Sequence, residues 1–373
     1  MTSVTFTGDV AFSKYFADAW QRETVIHPTV AEFLQNSDCT VPNVEAPITS
    51  ASIESDRSLN HANPPQTADC LLRLNGTVWN LANNHIYDCK EQGIFDTLEL
   101  AERCGCRTLG VGRTAEEAAR PVILDGAGGI ALLSVTYHNK KEFMRAGEDK
   151  PGCILSDDDK RIREMIRSAK AACRWCVVVA HGGSEFSDLP LPFVRRRYHR
   201  YLKWGADAVI GHHPHVIQNY ETVGDKTIFY SLGNFIFDTD YQRIQKHSEL
   251  GALVKLLFTE EKYVIETLPI RIDREAQCIV PCETPPVFRH IGEKEYRRLW
   301  PLMVSVFTQN SRRADMFLNE KYKTYTEWQW FKSSKHFQGL CSALRLVWGR
   351  VRYRLGWWRA DDAVLAAYIQ TKA

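Results

Sequence analysis

The sequence predicts an α/β fold. Short apolar runs rich in β-branched residues alternate with segments whose apolar positions recur at helical spacing, the pattern of strands and helices stacked in layers. The later runs succeed one another with little helix between them, so part of the sheet system is expected to be antiparallel. A third observation concerns where the runs stop: most end in a carboxylate, an amide or an imidazole.

In chain order the expected strands are SVTFTG from Ser3, TVWNLAN from Thr77, GIALLSV from Gly129, WCVVVAHG from Trp175, DAVIGHH from Asp207 and TIFYSLGNF from Thr227. GALVKLLF from Gly251 and YVIETLPIRI from Tyr263 complete the set. Between them, EQGIFDTLELAERCG and DDDKRIREMIRSAKAAC carry the helical period, and the second opens on acids that suit the positive end of a helix. No internal repeat or low-complexity tract interrupts the pattern.

A chain of 373 residues exceeds the usual single domain, so one large domain, residues 1–286, with an appended piece, residues 287–373, is expected. Charge is nearly balanced at +2, which gives no reason to expect nucleic acid as a partner. Eleven cysteines, odd in number and irregular in spacing, fit a reduced intracellular protein better than a disulfide framework. Cys173 with Cys176, and Cys278 with Cys282, are read as small buried hydrophobes rather than as a zinc site. The N-terminus runs directly into a strand without a signal-peptide preamble, and no apolar run approaches the roughly 18 residues that span a bilayer. A soluble, cytoplasmic protein is therefore expected.

The appended piece differs in character. It holds six of the ten tryptophans, Trp300, Trp328, Trp330, Trp348, Trp357 and Trp358, among many basic residues. In LCSALRLVWGRVRYRLGWW, Leu340, Leu344, Val347, Val351 and Leu355 share one helical face, which suits packing on the main domain, a peptide partner or a membrane surface.

The chemistry gathers at VIGHHPHVIQ, where His212, His213 and His215 fall within four positions. A lone histidine is usually a surface or satisfied polar residue. If the strand continued through the cluster, His213 and His215 would project to one side and face one ion. Other run ends add Asp9, Glu45, Asn84, His85 and His181. Because the strands of a sheet deliver their ends to a common edge, these groups can converge. Mixed carboxylate, imidazole and amide donors suit manganese, iron or zinc.

The order GD at Gly8, NVE at Asn43, ANNHIYD at Ala82, HGGSE at His181, GHHPH at Gly211 and SLGNFIFD at Ser231 resembles the CapA family, named for capsule and poly-γ-glutamate biosynthesis, within the calcineurin-like metallophosphoesterase superfamily. The resemblance covers roughly residues 1–260 and implies a four-layer α/β/β/α sandwich with its site at the strand ends. It implies that Asp9 binds a first metal, Glu45 bridges two, Asn84, His181 and His213 complete the second, and His215 returns to the first. His85 takes the place of the general acid. His212 is expected to stand just outside the ligands, and Asp88, Glu185 and Asp238 either to orient histidine ligands or to cap local structure. Two departures stand out: the superfamily begins D-x-H where this chain has Ala11, and Glu45 replaces an aspartate, so one firmly held ion with an easily lost second is as consistent as two.

Three activities follow. With one or two divalent ions, activated water would attack a phosphoester or a γ-glutamyl or peptide bond of a small-molecule, polymer or peptide substrate, His85 supplying the proton. Alternatively, one metal would acidify a peptide Cα–H, with His85 or His215 and Asp9 removing and returning the proton as a peptide epimerase does. A third reading is a non-catalytic accessory protein of capsule-polymer synthesis.

Overall fold

WCVVVAH and IALLSVT have every residue buried, as strands covered on both faces must be. In the computed structural model, which describes residues 1–52, 60–137, 142–282, 289–300, 312 and 316, such strands form two sheets. The first contains β1 (Thr2–Val10), β2 (Cys39–Val44), β3 (Val78–Asn80), β4 (Arg107–Leu109), β13 (Asn234–Ile236), β14 (Leu250–Phe258), β15 (Tyr263–Asp273) and β16 (Cys278–Pro281). Their order is β16-β15-β14-β1-β2-β3-β4, with β13 beside β1. The second, ordered β11-β12-β10-β9-β7-β6, is built from β6 (Val122–Leu124), β7 (Ile130–Thr136), β9 (Trp175–His181), β10 (Ala208–His212), β11 (Tyr220–Val223) and β12 (Lys226–Phe229). A small ladder joins β5 (Val111–Gly112) to β8 (Gly152–Cys153). Strands β1 to β4 are parallel, as are β7, β9, β10 and β12, whereas β14, β15 and β16 run antiparallel, as their short connections require.

The sheets face each other. Val4, Phe6, Val41 and Val78 of the first pack with Leu132, Val177, Val179 and Ile210 of the second in one apolar layer. Outside the first sheet, α1 (Pro28–Gln35), α2 (Thr67–Arg73) and α3 (Lys90–Arg103) lay Val30, Leu34, Leu71, Ile94 and Leu98 against Val44, Trp79 and Leu253. Outside the second, α4 (Ala115–Ala119), α5 (Asp159–Ala172) and α6 (Pro192–Trp204) cover Leu133, Val178 and Val209. The result is the expected α/β/β/α sandwich of four layers. The α5 helix begins where Asp158 accepts the Arg161 N–H and buries Ile162, Ile166 and Ala169 on one face, and α6 opens on Pro192. Cys173 and Cys176 are buried as expected, with the Cys176 thiol pushed by burial up to about 12, but Cys278 and Cys282, at the first sheet's edge strand and just past it, are only half-buried.

Three expectations need correction. TIFYSLGNF is two strands: β12 ends at Phe229 in the second sheet, and the chain crosses at Gly233 (φ +70°) to begin β13 in the first. The strand of DAVIGHH ends at His212, so His213 and His215 do not alternate along a strand; both take left-handed backbone, φ +94° and +56°. The expected set lacked β2, which carries Pro42, a residue that cannot donate to a ladder. The β1–β2 ladder shifts register between Phe6 and Asp9, opposite Pro42, so the missing N–H falls in a bulge.

By its internal contacts the chain divides into a unit of Met1–Gln242 with His247–His290, and another of Arg243–Lys246 with Ile291–Ala373. In the second, residues 293–300 are helical. The amphipathic segment 340–358, with Trp328, Trp330, Trp348, Trp357 and Trp358, lies outside the described residues. Among the described residues no helix is long and apolar enough to cross a membrane.

Candidate metal centre

The parallel strands of both sheets end at one rim, where the backbone is irregular in ways that aim side chains inward. Asp9 sits at a register break of β1 against both β2 and β13. Its predecessor must be glycine: a Cβ on Gly8 would lie 2.3 Å from the Gly233 carbonyl oxygen, whose partner is the Asp9 N–H at 3.0 Å. Glu45 follows the last residue of β2, His181 and His212 end β9 and β10, and Asn84 and His85 lie in the turn after β3.

These groups meet. Asp9 and Glu45 are fully buried. His215 Nδ1 is 3.1 Å from Asp9 Oδ2, and its Nε2 is 3.6 Å from Glu45 Oε1. On the other side of Glu45, His181 Nε2 lies 3.4 Å from the same Oε1 and 2.6 Å from Asn84 Oδ1. Ligand atoms of Asp9, Glu45 and His215 lie within 4.8 Å of one another, and so do those of Glu45, His181 and His213. Glu45 thus belongs to both sets. A third set on the same criterion joins Glu185 to His213 and His215. His213 and His215 do not face an ion from a strand as expected; their rings lie 5.9 Å apart, divided between the first two sets and joined only in the third, with Glu185.

Of the supporting residues, His212 Nδ1 approaches Asp9 Oδ1 at 3.4 Å. Asp88 pairs with His85 Nδ1 at 2.6 Å, so it orients the candidate proton donor rather than a ligand. Asp238 is buried and pairs with Arg274 at 3.3 Å.

Sequence reasoning missed three residues. Asn43 donates to Asp9 Oδ1 at 2.8 Å, faces His181 Nδ1 at 3.3 Å, and accepts from Asn80 Nδ2 at 2.6 Å. Asn234 places Oδ1 3.0 Å from His215 Nδ1 and donates through Nδ2 to the Ser248 carbonyl at 2.8 Å. Both stand inside the quoted motifs, which was the available signal. The His61 ring lies edge-on against that of His85, centroids 4.7 Å apart, and the His61 backbone N–H donates to Asp88 Oδ2; only its proximity in the fold reveals it.

Electrostatics agree with a cation-binding role. Burial, reinforced by His213, holds the His181 imidazole well below its ordinary range, and burial takes His213 down to about 4 against the pull of Glu185. Both are neutral near pH 7, the form that ligates metal. Burial would depress His215 too, but Glu45 and Asp9 raise it to about 10. Burial disfavours ionised Asp9, yet the contacts and charges of His212 and His215 hold its carboxyl well below the usual range. A proton on His215 therefore balances carboxylates that a metal ion would otherwise balance. His213 Nδ1 is buried and, among the described residues, without a hydrogen-bond partner. Buried carboxylates, neutral imidazoles and an unused ring nitrogen fit a divalent cation.

Fold and site together define a four-layer α/β protein with a candidate divalent-metal centre at its strand ends. The sequence model of the bacterial capsule synthesis protein PGA_cap matches residues 3–239, and the chain belongs to that family. It is 31% identical over 247 residues to the PGA biosynthesis protein CapA of Bacillus subtilis (strain 168), covering 65% of this chain and 64% of that protein, just under two thirds of the relative's length. It is 25% identical over 283 residues to the capsule biosynthesis protein CapA of Bacillus anthracis, covering 72% of this chain and 67% of that one. A probable polyglutamine synthesis accessory protein of Mycobacterium tuberculosis is 26% identical over 256 residues, 64% of this chain and 67% of that one.

Proposed function

We propose that residues 1–286 are a metal-dependent hydrolase of the phosphoesterase type, cleaving a phosphoester or a γ-glutamyl or peptide bond, with residues 287–373 as an appended extension. The observation that carries this reading is the sharing of Glu45 between two ligand sets, Asp9 with His215 on one side and His181 with His213 on the other. Asn84, 2.6 Å from His181 Nε2, joins the second set. One or two divalent ions, manganese, iron or zinc, would supply Lewis-acid polarisation and acidify water. The chain's own residues orient and move protons. Asp88 holds His85 by Nδ1, which leaves Nε2 as the nitrogen that passes a proton to a leaving group. Asn43 and Asn234 hold Asp9, His181 and His215 in register.

The test is product release from a panel of phosphoesters and γ-glutamyl peptides with added Mn²⁺. Turnover that requires metal and is lost in Asn84→Ala supports the reading; no turnover across the panel, or turnover indifferent to both, rejects it. A second reading, an accessory role in polymer synthesis without catalysis, is favoured by the printed name of the mycobacterial relative. It predicts metal binding without turnover on any substrate.

A further inference from the structure

Where a D-x-H motif would offer an imidazole, this chain has Ala11, a buried residue with no donor atom. Among the described residues the first ligand set therefore holds Asp9, Glu45 and His215. Another carboxylate stands at the seam of the two sets. A ligand atom of Glu185 lies within 4.8 Å of one on His213, which belongs to the second set, and one on His215, which belongs to the first.

The loop that carries Glu185 is held there from several sides. Gly182 packs so closely on Tyr137 that a Cβ would lie 2.2 Å from the tyrosine Cβ. Phe186 takes left-handed backbone, φ +55°, and its N–H donates to the Pro214 carbonyl at 2.7 Å, which ties this loop to the histidine loop. Its ring lies against those of His215 and Tyr241, centroids 5.9 and 5.4 Å away. Tyr241 in turn donates to Glu185 Oε2 at 2.9 Å. A strained residue, a cross-loop hydrogen bond and a tyrosine hydroxyl thus converge on the position of one carboxylate, as ligating carboxylates are positioned by hydrogen bonds from outside the coordination sphere.

We propose that Glu185 is itself a metal ligand, entering from the loop after β9 and supplying the donor that Ala11 does not; this rests on the metal-centre reading of the same site. A carboxylate in place of an imidazole also changes the charge of the centre. Asp9, Glu45 and Glu185 against two divalent ions leave a single net positive charge, enough to attract an anionic substrate group while moderating the Lewis acidity of the ions.

The experiment uses the full chain freed of metal and titrated with Mn²⁺ by calorimetry, then with Co²⁺, whose visible absorption reports the number and kind of coordinating atoms. Glu185→Gln is expected to weaken binding of one ion by more than about 100-fold, beyond the range for loss of an outer hydrogen-bond partner, and to alter the Co²⁺ spectrum. Glu185→His, which again offers a ligand, should recover much of the affinity with a spectrum richer in nitrogen ligation. Tyr241→Phe should leave the spectrum as in the wild type. Metal-free melting temperatures equal to the wild type confirm that the variants fold, and Glu185→Asp repeats the test if Glu185→Gln does not. A wild-type Co²⁺ spectrum in Glu185→Gln overturns the proposal while leaving the centre intact. A wild-type chain that takes up neither ion overturns the centre and the proposal together.

Discussion

Asn43 is the perturbation that tests the site most directly, because it touches both ligand sets without belonging to either. Asn43→Ala removes the 2.8 Å donation to Asp9 Oδ1 and the contact with His181 Nδ1, and it leaves Asn80 Nδ2 without the acceptor it now has at 2.6 Å. A hydrogen bond to a charged group is worth about 1.5–3 kcal/mol, and a buried amide left without a partner loses about 1–3 kcal/mol. The two losses share one residue and do not simply add, so the metal-free protein should be destabilised by about 3 kcal/mol, read as a shift in urea midpoint at unchanged slope. Because Asp9 and His181 lie in different ligand sets, Mn²⁺ affinity at every occupied position should fall by about 10–100-fold. Calorimetric titration measures this. A stability change below about 0.5 kcal/mol together with affinity within about threefold of the wild type would refute the reasoning, since Asn43 would then be neither a support for the carboxylate nor for the imidazole.

Further outcomes follow from the same geometry. His85→Gln should lower any metal-dependent turnover by about 10²–10⁴-fold while metal stoichiometry stays that of the wild type, because His85 is tied to Asp88 and not to a ligand set. Chelation should lower the melting temperature; at free metal 100-fold above its dissociation constant the linked stabilisation is about 2.7 kcal/mol, and an unchanged melting temperature would count against binding to the native state. Away from the site, burial disfavours ionised Glu221, but His199 and Arg195, with Tyr230, hold its carboxyl from 4.5 down to about 2. Its folded pKa is depressed, so its stabilisation is complete above about pH 4.5 and lost as pH falls toward 2, about 3 kcal/mol in all; Glu221→Gln should flatten urea stability against pH over that window.

The layers were legible because buried parallel strands demand unbroken apolar runs, and Ile162, Ile166 and Ala169 repeat at the period of a helix. The six residues named as ligands come together because strand ends share a rim, a consequence of topology that a run's last polar residue already signals. What escaped the sequence escaped for local reasons. Strand β2 was not among the expected runs, and how it tolerates Pro42 could not be read from it, since a bulge is a property of the ladder and not of one strand. The split of TIFYSLGNF depends on a crossover between sheets, and nothing in a continuous apolar run marks where the chain changes layer. Asn43 and Asn234 stood inside quoted motifs without a role, because an asparagine has no periodic signature; only its partners give it one. His213 and His215 were placed on a strand by extrapolation past His212, where the backbone turns left-handed.

That turn bears on how the centre forms. A non-glycine residue in left-handed backbone costs about 1–3 kcal/mol, and His213, His215 and Phe186 each adopt it within one small region. The register break at Asp9 adds a further irregularity at the same rim. Such features persist only where surrounding structure over-determines them, and here β9 and β10 supply it, with every residue of both strands buried up to His181 and His212. The amides contribute differently from charged partners: Asn43 and Asn234 orient a carboxylate and an imidazole without neutralising either, so the charge that draws a cation is preserved. Folding itself therefore assembles the candidate donor set, whose strain and orientation the sandwich core already sustains.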